Sequence, residues 1–123
     1  MSRILVVDDD EVMLNFTKMW LQKEKYFVIC ASSGKEALSF LQSSRPDLIL
    51  LDYRMPEMDG PAVLSAIRAD EHLRDIPVYY RTGMDDLVAR ADDGPAPDGI
   101  IPKSEGKPLL IKTVAAALGT VTK

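Results

Sequence analysis

Four short runs of buried-strand type, apolar but for Arg81, each lead into a residue that carries chemistry: Ile4-Leu5-Val6-Val7 into Asp8-Asp9-Asp10, Leu48-Ile49-Leu50-Leu51 into Asp52, Val78-Tyr79-Tyr80-Arg81 into Thr82, and Ile100-Ile101 towards Lys103. Nearly continuous apolar runs of this length fit strands buried on both faces, as in parallel sheets. Segments of helical period separate them, and that alternation argues for βα units. Strands are expected near 3–8, 26–31, 47–52, 76–82 and 99–102. If they lie parallel, carboxylates far apart in sequence meet at the edge where open α/β sheets bind ligands.

The intervening segments read as helices with identifiable starts. The first places Val12, Met13, Phe16, Met19 and Trp20 on one stripe, with Asp10 or Asp9 as its N-cap. Ser33 with Glu36 three residues on has the capping-box pattern, followed by Ala37, Leu38 and Leu41 on one face. Asp59-Gly60-Pro61 opens a third helix whose buried stripe is Val63, Leu64 and Ile67. The last carries Leu110, Ile111, Val114, Ala117 and Leu118, with Gly119 as its stop. Between the fourth and fifth strands, Gly94-Pro95-Ala96-Pro97-Asp98-Gly99 limits any helix to a short one at about 84–93.

The chain's 123 residues suffice for one domain, 1–123, with a sizeable core. Fifteen Lys plus Arg against 19 Asp plus Glu give a net charge of −4 and no basic stripe, so direct binding to nucleic acid is not expected. No apolar run is long enough to span a bilayer and no signal peptide is visible, which makes a cytoplasmic protein without a membrane partner the expectation. Cys30 stands alone and reads as a small buried hydrophobe, and His72 as a solvated residue. One His and one Cys leave no Ser/His/Asp or Cys/His catalytic set.

Two or three ionised carboxylates within a few ångströms repel by on the order of 4 kcal/mol per pair, at about 4 Å and an effective dielectric of about 20. Protonation of one, or a divalent cation, offsets this. Carboxylate-only donors with open positions suit Mg²⁺, which keeps waters and accepts phosphate oxygens. Adding a lysine and a threonine hydroxyl makes a pocket for a phosphoryl group, in which a central Asp is a competent nucleophile.

With Val6-Val7-Asp8-Asp9, Leu51-Asp52-Tyr53-Arg54-Met55-Pro56-Glu57-Met58-Asp59-Gly60, Thr82-Gly83 and Lys103 falling in order, the chain resembles the receiver domain of two-component response regulators over essentially its full length. The resemblance implies an α/β, flavodoxin-like, doubly wound five-stranded parallel sheet of order 2-1-3-4-5 with five helices, the fourth short or irregular. It implies that Asp52 is the phosphoacceptor, that Asp8, Asp9, Asp52 and the Arg54 carbonyl hold Mg²⁺, and that Thr82, the Gly83 N–H and Lys103 bind the phosphoryl group. Asp10 is left as a cap. Arg54 and Met84 occupy positions that tune hydrolysis in the family, and their bulk suggests slow decay.

The implied activity is that of a phosphoacceptor rather than a conventional enzyme. It would take a phosphoryl group from a sensor histidine kinase or histidine phosphotransfer protein and switch contact with a downstream protein target, as a monomer or a phosphorylation-dependent dimer. The alternatives are a pseudo-receiver that binds without phosphorylation, and a haloacid-dehalogenase-like phosphatase with its nucleophile in Asp8-Asp9-Asp10. Three departures from the family pattern stand out. Lys103 is followed by Ser104 rather than proline, and since a cis bond before a non-proline costs roughly 3–4 kcal/mol the bond is expected trans. Ile100 occupies a position that is commonly aromatic. Arg81 is a bulky charge where small or apolar residues are usual, placed either to disturb the pocket or to anchor a partner. Phosphotransfer with an unusual output face is the expected combination.

Overall fold

The computed structural model describes residues 2–83 and 95–119. Five strands, β1 (Arg3–Val7), β2 (Phe27–Ala31), β3 (Leu48–Asp52), β4 (Val78–Thr82) and β5 (Gly99–Pro102), pair in parallel in the order β2-β1-β3-β4-β5. The order is that of a flavodoxin-like doubly wound sheet. Among the described residues there are four α-helices, α1 (Glu11–Lys23), α2 (Gly34–Leu41), α3 (Gly60–Ala69) and α4 (Gly106–Ala117), and a 3₁₀ turn at Lys103–Glu105. The helix expected at 84–93 lies outside the described residues, so the expected five helices are here four.

Alternation along the strands builds a core on each face of the sheet. Leu5, Val7, Ile49, Leu51, Val78 and Tyr80 meet α2 and α3 on one side. Ile4, Val6, Leu48, Leu50 and Ile101 meet α1 and α4 on the other. Pro102 ends the edge strand β5, where its missing N–H costs no ladder bond. At the start of β4, Asp98 Oδ2 accepts from Val78 N and from Arg68 Nη2, each at 2.8 Å, and so ties α3 to the β4–β5 pair.

The caps follow the sequence closely. Asp10 Oδ1 accepts from Val12 N at 3.0 Å and Met13 N at 3.2 Å. Ser33 Oγ accepts from Glu36 N at 3.0 Å, while Glu36 Oε1 reaches back to Ser32 N and Ser32 Oγ, one residue earlier than an ordinary capping box. Asp59 Oδ1 accepts from Ala62 N at 3.0 Å, and Gly119 stops the last helix at φ 69°.

The face of α1 differs from the sequence reading. Leu14, Thr17 and Leu21 are buried, whereas Val12, Phe16 and Met19 of the expected stripe are exposed, Val12 at 65%. Met13 and Trp20 are half-buried at the boundary, and Phe16 stacks on Trp20 with centroids 5.9 Å apart. The helix has two apolar arcs, and docking against the sheet and α4 selects the narrower one, whose single polar member, Thr17, meets a polar partner inside. Cys30 is half-buried rather than buried, packed against the α1–α4 core, with its thiol pushed up by burial. His72 is exposed, in the turn after α3. Among the described residues no helix is long and apolar enough to cross a membrane.

Candidate functional site

The carboxyl ends of β1 and β3 bring three aspartates together. Asp8 follows β1, its N–H donating to Ala31 O at 3.1 Å on β2, and its Oδ1 accepts from Asp10 N at 3.0 Å. Asp52 closes β3 and is buried like Asp8, while Asp9 faces solvent. Each of the three offers a carboxylate oxygen within 4.8 Å of the others. Lys103, on the 3₁₀ turn after β5, sets its Nζ 3.1 Å from Asp52 Oδ1 and 3.4 Å from Asp8 Oδ2. All peptide bonds among the described residues are trans, Lys103–Ser104 included as expected, so Lys103 reaches the pair without a cis bond.

Electrostatics follow from this packing. Burial, then the charge of Asp8, pushes the Asp52 carboxyl up to about 7, against the opposing pull of Lys103. Thr82 Oγ1, at the end of β4, is buried with no hydrogen-bond partner. A buried hydroxyl rarely goes unpaired, and one at this edge is a donor without its acceptor. Gly83 follows it, exposed. Next to Asp9 an open cavity of about 460 Å³ is lined by Tyr53, Arg54, Met55, Pro56 and Asp59. Three carboxylates, one of them reachable from water, form an oxygen-only set that fits Mg²⁺. Met84 lies outside the described residues.

Thus Asp8, Asp9, Asp52 and Lys103 converge, with Thr82 ending the strand beside Asp52, Gly83 just after it, and Arg54 in the loop beyond β3. Ile100 is half-buried against the α2–α3 core that contains Tyr80. Arg81 loses one of its two expected roles, the partner anchor. It is only 3% exposed and so anchors no partner at the surface; its Nη1 donates to Thr17 Oγ1 at 3.0 Å. Its guanidinium is lowered by burial and partly restored by Asp8 and Asp52. The signal available in sequence was Thr17, a lone hydroxyl three residues after Leu14 and four before Leu21.

Known proteins share both sequence and fold. Residues 4–115 match the response regulator receiver domain. The response regulator MprA of Mycolicibacterium vanbaalenii is 35% identical over 123 residues, covering 98% of this chain and 52% of its own. The transcriptional regulatory protein PrrA of Mycobacterium tuberculosis is 40% identical over 95 residues, 75% of this chain and 40% of that protein. This chain therefore spans about half or less of the length of these relatives. Among solved structures, the signal receiver domain of a signal transduction histidine kinase from Syntrophus aciditrophicus superposes with TM-score 0.87 at 32% identity, covering 100% of this chain and 94% of that one. The chemotaxis response regulator CheY4 of Vibrio cholerae gives 0.81 at 27% identity, covering 96% and 99%. The chain belongs to the response regulator receiver domain family of two-component signalling.

Proposed function

We propose that Asp52 accepts a phosphoryl group from a phosphohistidine and that the added charge switches a protein contact. The observation that carries this reading is the Lys103 ammonium lying between the buried carboxylates of Asp8 and Asp52, with Asp9 beside them. An Asp52 oxygen attacks phosphorus, the P–N bond breaks, its electron pair returns to the imidazole, and an acyl phosphate remains on Asp52. Lys103 pairs with the phosphoryl oxygens, and the Thr82 hydroxyl and Gly83 N–H donate to them. Asp8, Asp9, Asp52 and the Arg54 carbonyl hold Mg²⁺, which when bound supplies charge neutralisation and polarises the phosphoryl oxygens.

The phosphoryl group adds about −1.5 to −2 of charge, which biases a two-state equilibrium towards the form that binds a downstream protein. Similarity to transcriptional regulators leaves open a DNA-binding output in a longer chain, and the receiver itself is read as acting through protein contacts in the cytoplasm. Acetyl phosphate with Mg²⁺, followed by intact mass, tests the acceptor. One added phosphoryl group, absent in Asp52→Asn, is the expected result. Loss on replacing Asp8 with retention on replacing Asp52 would instead mark a haloacid-dehalogenase-like nucleophile. No labelling, with a histidine-kinase donor also failing, would mark a pseudo-receiver.

A further inference from the structure

Beneath the aspartate pocket lies a second cation. Arg81 stands in register with Asp52 on β3 and with Ile101 on β5, near the carboxyl end of the strand between them. It is 3% exposed, bound through Nη1 to Thr17 Oγ1 at 3.0 Å, and its Nε has no acceptor. Among the described residues no carboxylate lies within ion-pair distance of it. A guanidinium buried this way is costly unless opposite charge nearby offsets the lost solvation. The pocket supplies that charge: Asp52 is the register partner of Arg81 on the neighbouring strand, and the charges of Asp8 and Asp52 favour the guanidinium. The bond to Thr17, 64 residues away in sequence, holds the head group in place.

We propose that Arg81 is a resident counter-cation of the aspartate pocket, a positioning residue anchored by Thr17 that weakens divalent-cation binding and stabilises the charge added at Asp52. This rests on the functional reading above. Asp8 and Asp52 then face two cations, Lys103 at the mouth and Arg81 below, instead of one. The same positive charge repels Mg²⁺ and attracts a phosphoryl group, so its removal changes the two affinities in opposite directions. A role in packing alone moves them together.

The test is calorimetric titration of Mg²⁺, and of beryllium trifluoride at saturating Mg²⁺, into the whole chain and its Arg81→Met variant. Mg²⁺ is expected to bind on the order of tenfold tighter to Arg81→Met, and beryllium trifluoride on the order of tenfold weaker. Arg81→Lys should keep both affinities near wild type. Equal affinities, or both weakened together, overturn the proposal. Should Arg81→Met fail to fold, Arg81→Gln removes the charge while keeping a donor for Thr17 and is read by the same criteria. A wild-type chain that binds no Mg²⁺ overturns the functional reading instead, a result visible before any variant is made.

Discussion

Gly60 packs so tightly beneath Asp52 that a Cβ placed on it would stand 2.7 Å from the Asp52 carbonyl oxygen. Its N–H donates to Tyr53 O at 2.8 Å, folding the β3–α3 loop back onto the strand end that carries the central carboxylate. Backbone cannot yield as a flexible side chain can. Gly60→Ala is therefore expected to cost about 1–3 kcal/mol of stability and to lower phosphorylation yield, checked by denaturant unfolding and intact mass.

The Asp52 carboxyl, raised from 3.8 to about 7, binds a proton in the folded state that the unfolded chain has released. Between these values the folded state holds more protons, so without metal stability falls as pH rises from about 4 to about 7. Asp52→Asn removes the buried charge and should flatten that slope, so that the stability lost by the wild type towards pH 8 is not lost by the variant. Urea unfolding of both forms across the range measures it; an unchanged slope would contradict the raised carboxyl.

Removing the lysine ammonium leaves Asp8 and Asp52 facing each other without it. Lys103→Met should raise the Asp52 carboxyl further and destabilise the metal-free protein at pH 8 more than at pH 5. Carbon-13 chemical shifts of the carboxyl give the first directly, and thermal melts the second.

Mg²⁺ that binds only the folded state stabilises it by about 2.7 kcal/mol at one hundred times Kd. For a domain of this size that is a rise in Tm on the order of 10 °C. The rise should vanish in Asp8→Asn and Asp52→Asn. Differential scanning calorimetry with and without the ion decides it.

Asp10 bonds to the first turn of α1 and stays outside the carboxylate cluster. Asp10→Ala should cost about 1 kcal/mol and leave acetyl-phosphate labelling intact, whereas Asp9→Ala should weaken Mg²⁺ binding with little loss of stability.

Much of the site was legible because its residues follow strand runs that announce themselves. Asp8, Asp52, Thr82 and Lys103 each stand at or just beyond the end of a run, and parallel pairing alone brings such ends to one edge. Local chemistry was equally readable at Asp10, Ser33 and Asp59, where a side chain bonds a backbone N–H two or three residues away. The pull on Asp52 was not readable, since it depends on burial and on where a flexible lysine ends.

By itself the sequence determined the order of elements, the starts of the first three helices and which strand ends carry carboxylates, because each rests on contacts within a few residues or on a period of two or 3.6. Tertiary structure alone decided that α1 turns Leu14, Thr17 and Leu21 inward and leaves Val12 and Phe16 in water. It also put Arg81 under the pocket rather than at the surface. Burial of Leu14 and Leu21 against the sheet turns the helix, and the two outcomes meet in the Arg81–Thr17 bond between residues 64 apart, a match of buried guanidinium and hydroxyl that no local pattern encodes.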